Sequence, residues 1–453
     1  MSPPQRHDWL VAGAAMLGFA IALLLVHPGQ YPFDAATQLW QARTGQFWNT
    51  TPVAMPLIWS LLLSLGGDAA SLLVLNLALF WCGLGLCAAV LRGPAGWRAL
   101  AMLAIGLQPL TLLQLGHLLS DAHLAAVLTC ACGLVAHAAT RGRRWSAWCA
   151  AILIVYAGCI RHNAILATLP LMPALAVVLA PRRARAAFVT ALLALTFATS
   201  FALDRAFVSQ RHTVWPSIAL WDLAALSVAS GELLLPPFSH GPGLDVAELV
   251  DTGAFDPTSN TFLFARSRSG MKSGLQKGSE YAPGQLAAIR AAWSRAVLRH
   301  PLAYARHRLR TFALMAGIEV DGRRGIPYFI EYHAWADNPP VAAPLAAAMH
   351  ARLLDVGAQL RGGGFWSSAW PALALAGLAL IVSWRRRTRF MAHLAGLFAG
   401  SLLLHAAGFA LIAPGAETRY LTWPIVFAPM ALLLALGAGT TADATSGNRA
   451  AAT

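Results

Sequence analysis

Residues 69–91 read AASLLVLNLALFWCGLGLCAAVL, an apolar run without Asp, Glu, Lys or Arg that is closed by Arg92. At a rise of about 1.5 Å per residue, a helix of this length crosses the ~30 Å hydrocarbon core of a bilayer. Working outward, runs of similar character recur at 9–26, 98–116, 122–139, 146–160, 164–180, 187–206, 366–384, 390–412 and 420–438, so the sequence predicts about ten spans. The segments 146–160 and 164–180 are short and meet at Arg161-His162-Asn163, so two spans and one long broken helix both fit. Of the 453 residues, 57% are hydrophobic and 11% charged, with mean hydropathy +0.58; soluble domains carry roughly 25% charged residues. The predicted fold class is an all-α polytopic membrane protein.

The net charge of +14 comes almost wholly from arginine, since Lys272 and Lys277 are the only lysines. The arginines border apolar runs, so membrane topology accounts for them and no nucleic-acid partner is implied. Threading the chain puts Arg92 and Arg98, Arg141, Arg143 and Arg144, Arg182, Arg183 and Arg185, and Arg385, Arg386, Arg387 and Arg389 on one side. The positive-inside rule makes that side cytoplasmic, together with both termini. The outer face then receives the Asp34 loop, Ser120-Asp121, Arg161-His162-Asn163, residues 207–365 and Pro414 to Arg419. The six cysteines all lie in apolar segments and read as small buried hydrophobes, not metal ligands or disulfides. Met1 to Asp8 and the following apolar run read as a first span and not as a removed signal.

Residues 1–206 form one transmembrane module of about seven spans. Within its first outer loop, Val53 to Leu65 is too short to cross and is interrupted by Pro56, so it is expected as an interfacial or re-entrant helix. Ala35 to Arg43 reads as a short helix on the membrane, with Leu39 and Trp40 toward lipid. Residues 207–365 are the place for a mixed, mostly helical outer segment. There, Trp221 to Leu235 is apolar enough to lie on the bilayer, and Pro283 to Met315 predicts one long basic helix directed at anionic lipid. Residues 366–438 return to transmembrane helices, and 439–453 form a small polar tail expected to be disordered and cytoplasmic.

Gly-rich phosphate loops, zinc-protease helices, GxSxG elbows and Cys-x-x-Cys pairs are missing from the sequence. What stands out is a set of ionisable residues on separate short connections at one predicted depth: Asp34, Asp121, Arg161 and Arg419. The order of features resembles the GT-C glycosyltransferases, and most closely the branch of protein O-mannosyltransferases and the lipid A aminoarabinose transferase. Asp34 opens the first outer loop, followed by Gln38 to Arg43, Pro52 with Pro56, and Val53 to Leu65. Ser120-Asp121-Ala122-His123-Leu124 matches the family's second outer loop, Arg161 its basic residue near the outer end of the fifth or sixth span, and Glu417-Thr418-Arg419-Tyr420 its last outer loop. A lone Asp34 stands where the family often has an acidic pair, and Asn49-Thr50-Thr51 replaces its Glu-Lys.

The resemblance implies a bacterial inner-membrane enzyme that takes a sugar from a polyprenyl-phosphate donor and modifies an envelope glycan, lipid or protein at the periplasmic face. It implies catalytic roles for Asp34 and Asp121, and substrate contacts for Arg161, Arg419, Gln38, His162 and Tyr420, with a divalent metal ion possible. The chemistry is consistent with this: a carboxylate serves as base for an acceptor hydroxyl, and arginine offers a fixed fork to phosphate oxygens. Plainer roles stay open, with Asp34 as a helix N-cap, Arg161 and Arg419 reaching lipid headgroups, and Trp40, Trp48 and Trp59 in an aromatic belt. Two other functional classes fit the same pattern: an O-antigen polymerase or ligase, and a non-enzymatic transporter or lipid flippase.

Overall fold

A computed structural model describes residues 6–274, 280–328, 332–335 and 337–437; the expected tail lies outside them. The described residues are mostly helical, with one two-stranded parallel ribbon among them. In chain order the first module contains α1 (Arg6–Val26), α2 (Phe33–Thr44), α3 (Ala54–Ser64), α4 (Ser71–Val90), α5 (Ala95–Gly106), α6 (Pro109–Leu115), α7 (Ser120–Arg141), α8 (Arg144–Gly158), α9 (Ala164–Thr168), α10 (Leu171–Leu179) and α11 (Arg185–Phe207). Among the described residues six helical stretches are long and apolar enough to cross a membrane: Trp9–Val26, Ser71–Val90, Ser120–Arg141, Arg182–Phe207, Phe390–Ile412 and Thr418–Gly437. Their length and composition are compatible with a transmembrane protein.

The expected run 98–116 is bent by 59° between α5 and α6. Pro109 is the cause, because its ring disfavours a helical Gln108 and it has no N–H to continue the ladder. Residues 159–163 break the next run between α8 and α9. The centre of the bundle is α7, nearly all of which is buried. It packs closely on α4, where a Cβ on Gly83 would come within 2.4 Å of the Thr129 backbone and one on Gly133 within 2.5 Å of the Gly83 carbonyl. Small residues let two apolar helices approach where lipid gives no hydrophobic drive to associate.

The outer segment contains α12 (Trp215–Ser230), α13 (Val246–Asp251), α14 (Thr261–Arg266), α15 (Pro283–Arg299), α16 (Pro301–Met315) and α17 (Ala347–Leu360). Three sequence expectations change here. The predicted single helix 283–315 is two helices, because Pro301 forces His300 out of helical geometry, at φ −126° and ψ 53°. The stretch beginning at Trp221 does not lie on a bilayer: α12 is the middle of a second core in which Trp221, Leu220 and Leu223 are fully buried. Nor does the basic face of α16 all reach lipid. Arg308 is buried, donating to Asp222 at 2.7 Å and to the Ala413 carbonyl at 2.8 Å, while Trp293 Nε1 donates to the same carboxylate at 2.9 Å.

Next come α18 (Trp370–Arg385), α19 (Phe390–Ile412) and α20 (Thr422–Gly437), which pack against one another, α19 and α20 also against α7. Arg308 therefore joins the second core to the residue after α19, next to the connection that leads into α20.

Candidate functional site

Pro32, extended at ψ 171°, starts α2, and Asp34 falls in its first turn. Asp34 does not cap the helix; its Oδ2 accepts from Arg419 Nη1 at 2.8 Å, across 385 residues of sequence. Arg419 lies in the tight turn Thr418–Leu421 that leads into α20, and its Nε donates to Glu417. A second pair forms alongside. Asp121 and Ser120 begin α7, Arg161 projects from the break between α8 and α9, and Arg161 Nη1 forms an ion pair with Asp121 Oδ2 at 2.6 Å and donates to Ser120 Oγ at 2.9 Å.

Tyr420 joins the two pairs. Its ring stacks on Phe409 at 4.9 Å and 15°, with the Arg419 guanidinium 5.1 Å and the Arg161 guanidinium 5.6 Å from its centre. Three carboxylates thus share a small volume with two guanidiniums, one negative charge in excess when all are ionised. Burial pushes the Glu417 carboxyl above its ordinary range of 4.5, against the opposing pull of Arg419. Exposure decides which group meets a ligand first: Asp34 is 43% exposed, Asp121 only 3%.

The segment carrying Glu417 is held from both sides by backbone hydrogen bonds. Asn260 N donates to Pro414 O at 2.9 Å and Ala416 N to Thr258 O at 2.7 Å. Opposite, Ile326 N donates to Ala416 O at 3.0 Å and Thr418 N to Ile326 O at 2.9 Å. The outer segment therefore sets where Glu417 and Arg419 stand. Nothing in the pattern of apolar runs signalled this.

The structure brings Asp34, Asp121, Arg161, Arg419 and Tyr420 together. Gln38 and His162 stand apart from their ion pairs. Gln38 is buried on α2 and donates to Thr51 Oγ1 at 2.9 Å. His162 lines a cavity of about 290 Å³ with Asn49, Pro52 and Asp204. A larger cavity of about 570 Å³ lies between α2, α3 and Pro339-Pro340; neither cavity is lined by the charged group. Leu39 faces the protein interior and not lipid, at 3% exposure. Trp59 belongs to no belt, since it is fully buried with Nε1 donating to Ala69 O at 3.2 Å. Sequence reasoning missed Ser120 as an arginine partner and Phe409 as the support of Tyr420.

Among the described residues no three His, Cys, Asp or Glu side chains are grouped to hold a metal, and the three carboxylates here already take two arginines. Comparison with protein-family models, curated proteins and solved structures finds no match for this chain. Function has to be argued from the geometry.

Proposed function

We propose that this protein is a membrane glycosyltransferase of GT-C type, crossing the membrane about ten times if the bent pair α5–α6, the shorter apolar helices α9–α10 and α18, and α8 also span. It would transfer a sugar from a polyprenyl-phosphate donor to an envelope glycan, lipid or protein at the periplasmic face of a bacterial inner membrane. The observation that carries the reading is the convergence of Asp34, Asp121, Glu417, Arg161 and Arg419 from four separate connections.

In this reading the acceptor oxygen bonds to the anomeric carbon as that carbon's bond to the phosphate oxygen breaks. The bonding pair leaves with the phosphate, the acceptor proton passes to Asp34, and the anomeric configuration inverts. Arg419 already uses Nη1 on Asp34 and Nε on Glu417. An arriving phosphate competes with Asp34 for Nη1, so donor binding would release the carboxylate to act as base. Asp121 is the positioning group that holds Arg161 toward the same phosphate.

A polymerase or ligase that relies on loop arginines is less well supported, because Arg308 and Arg323 are committed to Asp222 and Asp256. The test is glycan and lipid mass spectrometry of the envelope with and without the protein. Loss of one sugar residue, with its carrier-linked donor accumulating, is expected. An unchanged envelope together with defective lipid transport would point to the flippase class instead.

A further inference from the structure

Beside Asp34 lies a group of rings that the charged cluster leaves unused. Phe33, 52% exposed, meets His333 and Trp335 edge-on, each at 5.1 Å. Trp335 reaches Trp48 at 6.3 Å, and Trp48 in turn meets Trp40 at 5.4 Å and His212 at 5.9 Å. The rings come from three distant parts of the chain. Hydrogen bonds hold His333 and Asn338 on the start of this region, with His333 N donating to Tyr31 O at 2.7 Å and Asn338 Nδ2 to Ala36 O on α2 at 2.8 Å.

A second observation concerns polar atoms of two ring-bearing residues, Trp48 and His212, and of two glutamines on α2, of which Gln41 accepts from the Trp48 backbone N–H at 2.9 Å. Gln38 Oε1, Gln41 Nε2, Trp48 Nε1 and His212 Nε2 are buried without a hydrogen-bond partner among the described residues. Buried polar atoms are nearly always satisfied, so these atoms on the ring-bearing residues and on α2 call for an explanation. They offer an amide acceptor, two donors, and an imidazole nitrogen. An aromatic membrane belt would account for the rings but not for the unmatched amides.

Ring faces carry a negative quadrupole that attracts electropositive C–H groups, and neutral donors and acceptors match hydroxyls. A ligand with one C–H face and a rim of hydroxyls is a pyranose. We propose that this aromatic shelf holds the ring of a neutral sugar next to Asp34. The proposal rests on the transferase reading for why a sugar comes to Asp34, but sugar binding can be measured without transfer.

The full-length protein in lipid nanodiscs is examined by saturation-transfer NMR with methyl α-mannopyranoside, methyl β-glucopyranoside and methyl β-arabinopyranoside. At least one glycoside should receive saturation on the protons of one ring face. Trp335→Ala and Phe33→Ala should weaken that binding roughly tenfold, equivalent to about 1.4 kcal/mol, and Trp335→Phe should largely retain it. Asp34→Asn should bind as wild type, which separates the shelf from the catalytic base: a transferase lacking an Asp34 requirement but showing Trp335-dependent binding would sink the base and keep the shelf. No saturation of any glycoside by the wild-type protein, or saturation unchanged by Trp335→Ala, overturns the shelf.

Discussion

Replacing Arg308 with Met removes one charge from the pair that ties the second core to the connection before α20. Arg308 and Asp222 side chains are 5% and 1% exposed, and their N–O distance is 2.7 Å. Without Arg308, Asp222 keeps only the Trp293 indole and a 3.3 Å contact with His307, while the Ala413 carbonyl loses its donor. Breaking a buried pair from one side costs about 3–5 kcal/mol, and the orphaned carbonyl adds about 1 kcal/mol. The double variant Arg308→Met with Asp222→Asn keeps an acceptor for Trp293 and leaves no unpaired charge, so it should recover most of that loss. Hydrogen exchange of α12 and α16 in detergent measures the opening directly: a 3 kcal/mol loss speeds exchange through that opening more than about a hundredfold. Exchange in the single variant within about tenfold of wild type, or a double variant no better than the single, would refute the buried-pair argument.

Gly83→Ala should lower stability by about 1–3 kcal/mol because its Cβ meets the Thr129 backbone, whereas Gly13→Ala, with open space around it, should be neutral in the same thermal unfolding assay. Burial holds the His307 imidazole below its ordinary 6.5, with the Asp222 hydrogen bond opposing. The unfolded chain then binds the extra proton first, so stability of the second core should fall as pH drops below 6.5, and His307→Phe should flatten that slope in pH-dependent exchange. For Glu417 the sign is opposite. Its raised carboxyl stays protonated above 4.5, so rising pH adds the excess negative charge to the site. The donor KM should rise with pH in a transfer assay, and Glu417→Gln should remove that rise.

The apolar runs made the helices legible because membrane length and composition are local properties of the chain. Sidedness of the arginine clusters was enough to bring Asp34, Asp121, Arg161 and Arg419 to one predicted depth, and in the structure they lie in two adjacent ion pairs. What stayed hidden depends on contacts far apart in sequence. Asp222 lies in an apolar stretch, and only folding shows that Arg308 neutralises it. The split of α15 from α16 was readable in principle from Pro301, but the shared basic face of 283–315 obscured it. His333 and Trp335 sit in an irregular segment with no periodicity, so their approach to Phe33 had no local signal.

The most direct test of the account is transfer by purified Asp34→Asn in nanodiscs, with a polyprenyl-phosphate sugar identified from the envelope comparison. The substitution keeps the size of the side chain and its acceptor oxygen toward Arg419, but takes away the base. The account predicts a fall in kcat of roughly a hundredfold or more, in a protein that remains folded and still binds donor. Transfer at the wild-type rate by that folded variant would contradict it.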